Sequence, residues 1–289
     1  MKPTMKGLAV SAMAVLMWGG LTACGASSGN DEVKGEIHEL LPSDIQEAGV
    51  LTVGGSTTVP PYLFEDGGRV VGFEREFMDD LEKILEVDIK LQDTGFDALV
   101  PSLQSGRIDV AMGDFTDTVE RQAAVDFVDY TKSFQGLLVQ ESNPEDIVTI
   151  EDLCGTTVAG AQGSLSLQLA EEQNSACTEA GEQGVDILAS HDANAALLQV
   201  QTGRADALVI DYTIAKYVSA QEGKTEVAGE PLFPQYHGAA VKKGNEDLRE
   251  ALMAAFEEFL SSGRYEAILE QWKLGELAIA EPILNGAKE

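Results

Sequence analysis

From Val50 onward the chain alternates short β-branched runs with stretches whose apolar positions recur every three to four residues. Strands are expected at 50–53, 87–91 and 109–112, and helices at 73–85, 96–104 and 119–125. Beyond Phe134 the rhythm restarts, with strands at 157–161, 185–188 and 205–210 and helices at 165–173, 193–201 and 213–221. Two successive βα series predict two α/β lobes with largely parallel sheets. The segment 245–274 breaks the rhythm with two helices, 247–260 and 265–273, and reads as a cap, not another βα unit.

One pattern occurs twice. Leu103-Gln104-Ser105-Gly106-Arg107-Ile108-Asp109 is echoed by Leu198 to Gln201 followed by Thr202-Gly203-Arg204-Ala205-Asp206. Each copy reads as a helix closed by glycine, then a basic residue, then a buried strand with an aspartate near its start. An equivalent helix-to-strand turn is therefore expected in each lobe.

The first residues follow a different logic. Lys2 and Lys6 precede an apolar stretch over 7–18, which has the form of an export signal and is short for a membrane span. Leu21-Thr22-Ala23-Cys24-Gly25 then resembles a bacterial lipobox, with Cys24 as the lipidated residue. An ordinary export signal that happens to contain a cysteine is the alternative. Residues 1–23 are thus expected to be a lipoprotein signal peptide. The Gly-, Ser- and acid-rich continuation reads as a flexible tether over 24–41. In an exported chain Cys154 and Cys177 are expected to form an intramolecular disulfide. Zinc fits poorly, because His38, His191 and His237 are scattered and no C-x-x-C pair is present. No metal and no cofactor are expected.

The 289 residues carry 49 Asp+Glu against 19 Lys+Arg, a formal net charge of −30. Such a polyanion is repelled by nucleic acid and by anionic lipid, so nucleic-acid binding is excluded as a function class. Enzyme signatures are missing too: there is no G-x-S-x-G elbow, no H-E-x-x-H and no phosphate loop. What the chain does offer suits a zwitterion. In Thr116-Asp117-Thr118-Val119-Glu120-Arg121, Asp117 or Thr118 can cap a helix whose Arg121 can hold a carboxylate bidentately. A structural salt bridge is the competing role for Arg121. Gly163-Ser164 closes one predicted strand and opens a helix, exposing backbone N–H groups. Asp211 ends another strand, where open α/β sheets place ligands, and can pair with an ammonium or serve only as a helix N-cap.

Gly72-Phe73-Glu74, the run Phe96 to Asp109, and Thr116 to Arg121 with Val125-Asp126-Phe127 together resemble the family 3 solute-binding proteins of polar amino acid ABC importers. The likeness covers roughly residues 42–274. It implies a two-lobed, periplasmic-binding-protein-like type II fold, in which two α/β lobes are joined by two crossing strands. Lobe one would comprise 42–135 and 238–289 and lobe two 136–237, with crossings near Phe134 to Leu137 and Gln235 to Gly238. By the same resemblance Arg121 and Thr116 grip a ligand carboxylate, Gly163 and Ser164 form the facing turn, and Asp211 holds the ammonium. Phe96 packs on the ligand and Tyr62 replaces a cleft-proximal Phe. Departures bear on selectivity: Asp114 stands where relatives carry Gly or Ser, Ser56 where cation-selective relatives often place Asp, and Val59 where an aromatic is common. Asp114 either adds a second carboxylate for a cationic ligand or turns outward and offers only its carbonyl.

The resemblance implies a monomeric lipoprotein on the extracytoplasmic face of the cell membrane, anchored only by lipid. It would carry a neutral or basic polar amino acid to an ABC permease and its ATPase. A catalytic, dehydratase-like member of the fold and a sensory member that passes no solute are the alternatives.

Overall fold

The computed structural model describes residues 28–288. Helices α1 (Ser28–Glu39) and α2 (Ser43–Ala48) precede strand β1 (Val50–Gly55). A small three-stranded sheet follows, formed by β2 (Thr58–Val59), β3 (Leu63–Asp66) and β4 (Arg69–Val71). The rest of the first βα series is α3 (Phe73–Leu85), β5 (Asp88–Asp93), α4 (Phe96–Ser105), β6 (Val110–Ala111) and α5 (Val119–Gln122). The long strand β7 (Val125–Gln140) leads into lobe two. That lobe holds β8 (Thr157–Ala161), α6 (Leu165–Glu179), β9 (Asp186–Ser190), α7 (Ala193–Gln201), β10 (Ala207–Asp211) and α8 (Tyr212–Glu222). Strand β11 (Thr225–Lys242) returns to lobe one, completed by α9 (Glu246–Ser261), α10 (Arg264–Gln271) and β12 (Ile283–Leu284).

The main sheet runs β5-β1-β6-β11-β7-β10-β8-β9, with β12 beside β7. In lobe one β1 pairs parallel with β5 and β6, and in lobe two β8 pairs parallel with β9 and β10. β7 and β11 run antiparallel to each other through both halves, β7 against β10 and β11 against β6. This is the two-lobed type II fold with two crossing strands. The β7–β11 ladder shifts register between Ala228 and Leu232, between Leu232 and Gln235, and at His237/Gly238. Such irregularities bend a ladder and re-aim its side chains.

Helix α3 shows how the core is specified. Phe73, Phe77, Leu81 and Leu85 recur every four residues and are buried with Met78. The Phe77 ring meets Phe259 of α9 at 4.9 Å and Tyr265 of α10 at 5.4 Å, so the terminal helices close over lobe one. Truncating such a ring to alanine costs about 3–5 kcal/mol. The helix starts after Gly72, held at φ 128, where a Cβ would overlap the Tyr62 carbonyl.

The repeated pattern has one physical meaning in both lobes. Gly106 and Gly203 take the left-handed conformation after α4 and α7, at φ 70 in each case. Asp109 Oδ2 accepts from Thr52 N of β1 at 2.8 Å, and Asp206 Oδ2 accepts from Thr157 N of β8 at 2.8 Å. In each lobe the same carboxylate pins the start of the neighbouring strand.

Two expectations are corrected. Residues 28–39, expected within the flexible tether over 24–41, are helical, because Ile37 and Leu41, four apart, bury against the core and outweigh the polar composition. The helix expected at 119–125 stops at Gln122, since Val125 already belongs to β7. The signal segment 1–23, Cys24 and residues 25–27 lie outside the described residues. In lobe two a disulfide joins Cys154, just before β8, to Cys177 on α6.

Candidate ligand-binding cleft

Where the lobes meet, two small adjoining pockets, the first at Arg121 and Asp211 and the second towards Leu208, share Phe96, Asp114, Ser164 and Ser166 in their walls. Thr116, Arg121, Gln135 and Asp211 line the first. Side chains from α4, the β6–α5 loop, β7, the β8–α6 turn and the end of β10 thus converge on one place.

The lobe-one wall is a tight loop. After β6 the chain passes through Gly113 at φ 107 and Asp114 at φ 54. Asp114 is among the few non-glycine residue types that tolerate the left-handed region. Its N–H donates to Glu74 Oε2 at 3.2 Å, while Tyr130 Oη donates to Glu74 Oε1 at 2.6 Å. Glu74 is fully buried and braces the turn from behind. Thr116 then forms an isolated antiparallel bridge with His237. Thr118, not Asp117, caps α5, accepting from Arg121 N at 3.2 Å. Asp117 is engaged elsewhere, by Gln122 and by the backbone of Ala287.

Arg121 spans the gap. Its Nη1 donates to Thr116 O at 2.6 Å and its Nη2 to Gly163 O of lobe two at 3.0 Å, with the guanidinium 4.4 Å from the Phe115 ring centre. The structural salt bridge held open for it has no counterpart among the described residues.

The lobe-two wall uses the ends of regular elements. Gly163 sits at φ 72 with its Cα facing Asp97, where a Cβ would overlap the Asp97 backbone. Ser164 caps α6, accepting from Leu167 N at 3.2 Å and donating to Ala161 O at 2.7 Å. Asp211 divides its roles between two oxygens. Oδ1 caps α8 through Thr213 N at 2.8 Å and Ile214 N at 3.2 Å, and accepts from Tyr62 Oη at 3.0 Å. Oδ2 accepts from Ser133 at 2.6 Å. The capping and ligand-facing roles are therefore compatible.

Arg121, Asp211, Thr116, Asp114, Phe96 and Ser164 share the first cavity wall, and Gly163 joins it through its carbonyl bond to Arg121. Tyr62 is buried beneath, tying lobe one to Asp211, and does not line either cavity. Ser56 is not brought in: it is buried with Oγ 3.0 Å from Thr58 Oγ1. Four residues escaped sequence reasoning. Gln135 and Ser166 line the cavity, and Glu74 stands behind it. Glu74 falls on the apolar face of α3 with Phe77, Met78 and Leu81, a buried-acid signal open to detection. His237, read as scattered, is brought beside Asp114 and Asp211 by β11, and one atom of each of the three lies within 4.8 Å of the others. Such a set can surround a single cation.

Burial dominates the electrostatics. It raises the Asp114 and Asp211 carboxyls, with Asp211 adding to the rise at Asp114. Glu74 is pushed up to about 8, also by burial, and is largely protonated at neutral pH. Arg121 is lowered by burial to about 10 and keeps its charge. The cleft thus holds one guanidinium and two carboxyls whose charged forms await a cation.

The chain matches Bacterial extracellular solute-binding proteins, family 3, over residues 51–276. It is 29% identical over 254 residues to the arginine-binding protein ArgT of Corynebacterium glutamicum, covering 86% of this chain and 83% of that one. It is 35% identical over 243 residues to the L-cystine-binding protein TcyJ of Escherichia coli, covering 83% and 88%. An ancestral arginine-binding protein solved bound to arginine superposes with a TM-score of 0.71 at 34% identity, covering 78% of this chain and 98% of that one. Fold, cleft and sequence agree, and the chain belongs to family 3 of the bacterial extracellular solute-binding proteins.

Proposed function

We propose that the protein captures a polar amino acid, neutral or basic, between its lobes and delivers it to the permease of an ABC importer, with an ATPase as the further partner. One observation carries this reading: Arg121 of lobe one and Asp211 of lobe two line the same cavity, a cation and an anion set for a carboxylate and an ammonium. Buried charge pairs of this kind contribute strongly only when both partners are present. Asp114 adds a second acid to the same wall and disfavours acidic side chains. The Tyr62–Asp211 and Arg121–Gly163 bonds join the lobes, so a ligand that favours their approach shifts the population toward the closed form.

The lipobox-like context makes Cys24 the anchor of a monomeric lipoprotein on the extracytoplasmic face of the cell membrane. Replacing Cys24 by Ser should release the protein into the medium, and continued membrane association would refute the anchor.

Ligand capture is tested by thermal-shift screening of the natural amino acids, followed by titration calorimetry. Neutral polar or basic amino acids should stabilise the protein and bind tightest. Binding by none of them would overturn the reading.

A further inference from the structure

Arg121 sits on α5, a helix of four residues none of which is buried, so neither length nor packing fixes its place. Beside the Thr118 cap, a second hold comes from the far end of the chain. The two oxygens of Asp117 accept from Gln122 Nε2 at 2.8 and 2.9 Å, and its Oδ2 also accepts from Ala287 N at 3.0 Å. Gln122 Nε2 reaches Ala287 O as well, at 3.3 Å. The residue after Arg121 is thereby clamped between its own loop and the C-terminal segment.

That segment is itself fastened to β7. Ile283 pairs with Asp129 in the ladder, Asn285 N donates to Phe127 O at 3.0 Å, and Asn285 Oδ1 accepts from Phe127 N at 2.8 Å. Gly286 N donates to Asp129 Oδ2 at 2.9 Å, and a Cβ on Gly286 would come within 2.5 Å of that oxygen and 2.9 Å of the Tyr236 ring. Asp129 is fully buried, and its Oδ1 has no hydrogen-bond partner. Burial first, then the charge of Asp117, raises the Asp129 carboxyl to about 8, so at neutral pH it keeps a proton that it donates to Asp117. One proton thus ties the acid under Gly286 to the acid under Ala287 and Gln122. Charged and titratable groups around this pair are Lys288 of the same segment, Arg121 of α5, Tyr236 of β11, Lys243 on Gln122 O, and Asp126 of β7 with Arg249 of α9.

We propose that residues 283–288 form a strap that positions Arg121, with Asp117 as the positioning residue through which it acts and Asp129 as its fastening. This rests on the reading of Arg121 as the carboxylate grip. Without the strap Gln122 loses its bond to Ala287 and α5 is free to fray, which carries the guanidinium off its line between Thr116 O and Gly163 O. A displaced guanidinium keeps its charge and loses its bidentate geometry, so the loss falls on the ligand carboxylate and spares the rest of the ligand. Alkali acts in the same direction. The Asp129 carboxyl is raised from 3.8, so the fastening is fully present below pH 3.8 and is lost as pH rises through about 8.

Two full-length variants test the strap: Gly286→Val forces it off β7, and Asp117→Ala removes the shared acceptor. Amide hydrogen exchange without ligand should quicken at residues 121–124 in both and keep its wild-type rate in β1. Unchanged exchange at 121–124 would overturn the strap. Calorimetry with L-arginine, L-glutamine and their α-carboxamides reads the consequence. Each variant should bind the parent amino acid about tenfold more weakly than wild type and the carboxamide about equally well. Equal losses for acid and amide, or no loss, would overturn the positioning role, because a merely structural strap leaves the preference for the carboxylate untouched. Failure of every natural amino acid to bind wild type would defeat the carboxylate grip and the positioning role with it, while the exchange rates would still decide whether the strap holds α5. Asp129→Asn keeps a donor toward Asp117 and does not titrate. Corrected for intrinsic rates, exchange at the Gly286 and Ala287 amides should accelerate between about pH 7 and 9 in wild type and stay level in this variant. A level profile in wild type would refute the shared proton.

Discussion

The two lobes share a turn and differ in how they meet the cleft. In both, a left-handed glycine ends a helix and an aspartate, Asp109 or Asp206, pins the adjacent strand. At the cleft, lobe one presents its charge from a loop, with Asp114 in the left-handed region and Arg121 on a four-residue helix. Lobe two presents Ser164 and Asp211, each also the N-cap of a helix. Lobe-one groups are thus separable from the fold, whereas lobe-two groups are not.

The largest test of that contrast pairs Arg121→Ala with Asp211→Ala. Each should weaken ligand binding by about 2–5 kcal/mol. Only Asp211→Ala should also lower the stability of the free protein, by about 1 kcal/mol for the lost cap. Calorimetry and thermal melting together read the difference, and equal stability losses would erase the distinction.

Lobe two is also stapled. Cys154 and Cys177 lie 23 residues apart, a loop whose closure stabilises by roughly 3 kcal/mol through the unfolded ensemble. Serine at both positions should accelerate hydrogen exchange in lobe two and leave lobe one near its original rate. Exchange that rises equally in both lobes would show that the bridge serves the whole molecule.

In lobe one, Glu74 has its pKa raised from 4.5 to about 8 by burial, so the folded state keeps a proton that the unfolded chain has released. The resulting stability is fully present below pH 4.5 and is lost as pH rises through about 8. Melting temperatures measured from pH 5 to 9 should fall along this course, and Glu74→Gln should flatten the fall.

Asp114→Gly removes the second acid and suits the φ of 54 at that position. Discrimination against glutamate relative to glutamine should drop by about tenfold, through lost charge repulsion in a desolvated site. Tightest binding of glutamate by wild type would defeat the assignment, and unchanged selectivity in the variant would mean that Asp114 acts only as a turn residue.

The smallest effect concerns the shared turn. Asp109→Asn and Asp206→Asn should each destabilise by about 1–2 kcal/mol, because both weaken the same bond to a strand N–H. Denaturant titration giving markedly unequal losses would break the equivalence of the two turns.

Elements with one buried face were readable from sequence. The residues 73–85 and 193–201 coincide with α3 and α7, because their apolar period matches a helix laid on a sheet. The crossing strands were not readable at their full length. β7 is buried almost throughout and carries Asp129, Thr131, Ser133 and Gln135 inward, so it shows neither alternation nor an unbroken apolar run. Arg121 and Asp211 were legible because motif and strand end place them. His237 and Gln135 were not, since their meaning arises only when β7 and β11 pass between the lobes. In α1 composition misled, because Ile37 within the helix and Leu41 just past its end bury against the core and outweigh an otherwise polar stretch.

That docked helix changes the reach of the molecule. If Cys24 carries the lipid, only residues 25–27 separate it from the start of α1, a span of about 14 Å even when fully extended. A body leashed so closely sweeps a shallow layer above the bilayer, which raises its effective concentration at a membrane partner. Such a leash would also narrow the orientations the cleft can adopt, so, if the protein serves a permease as proposed, lengthening the segment before Ser28 by a flexible insert should slow that handover while leaving ligand affinity untouched.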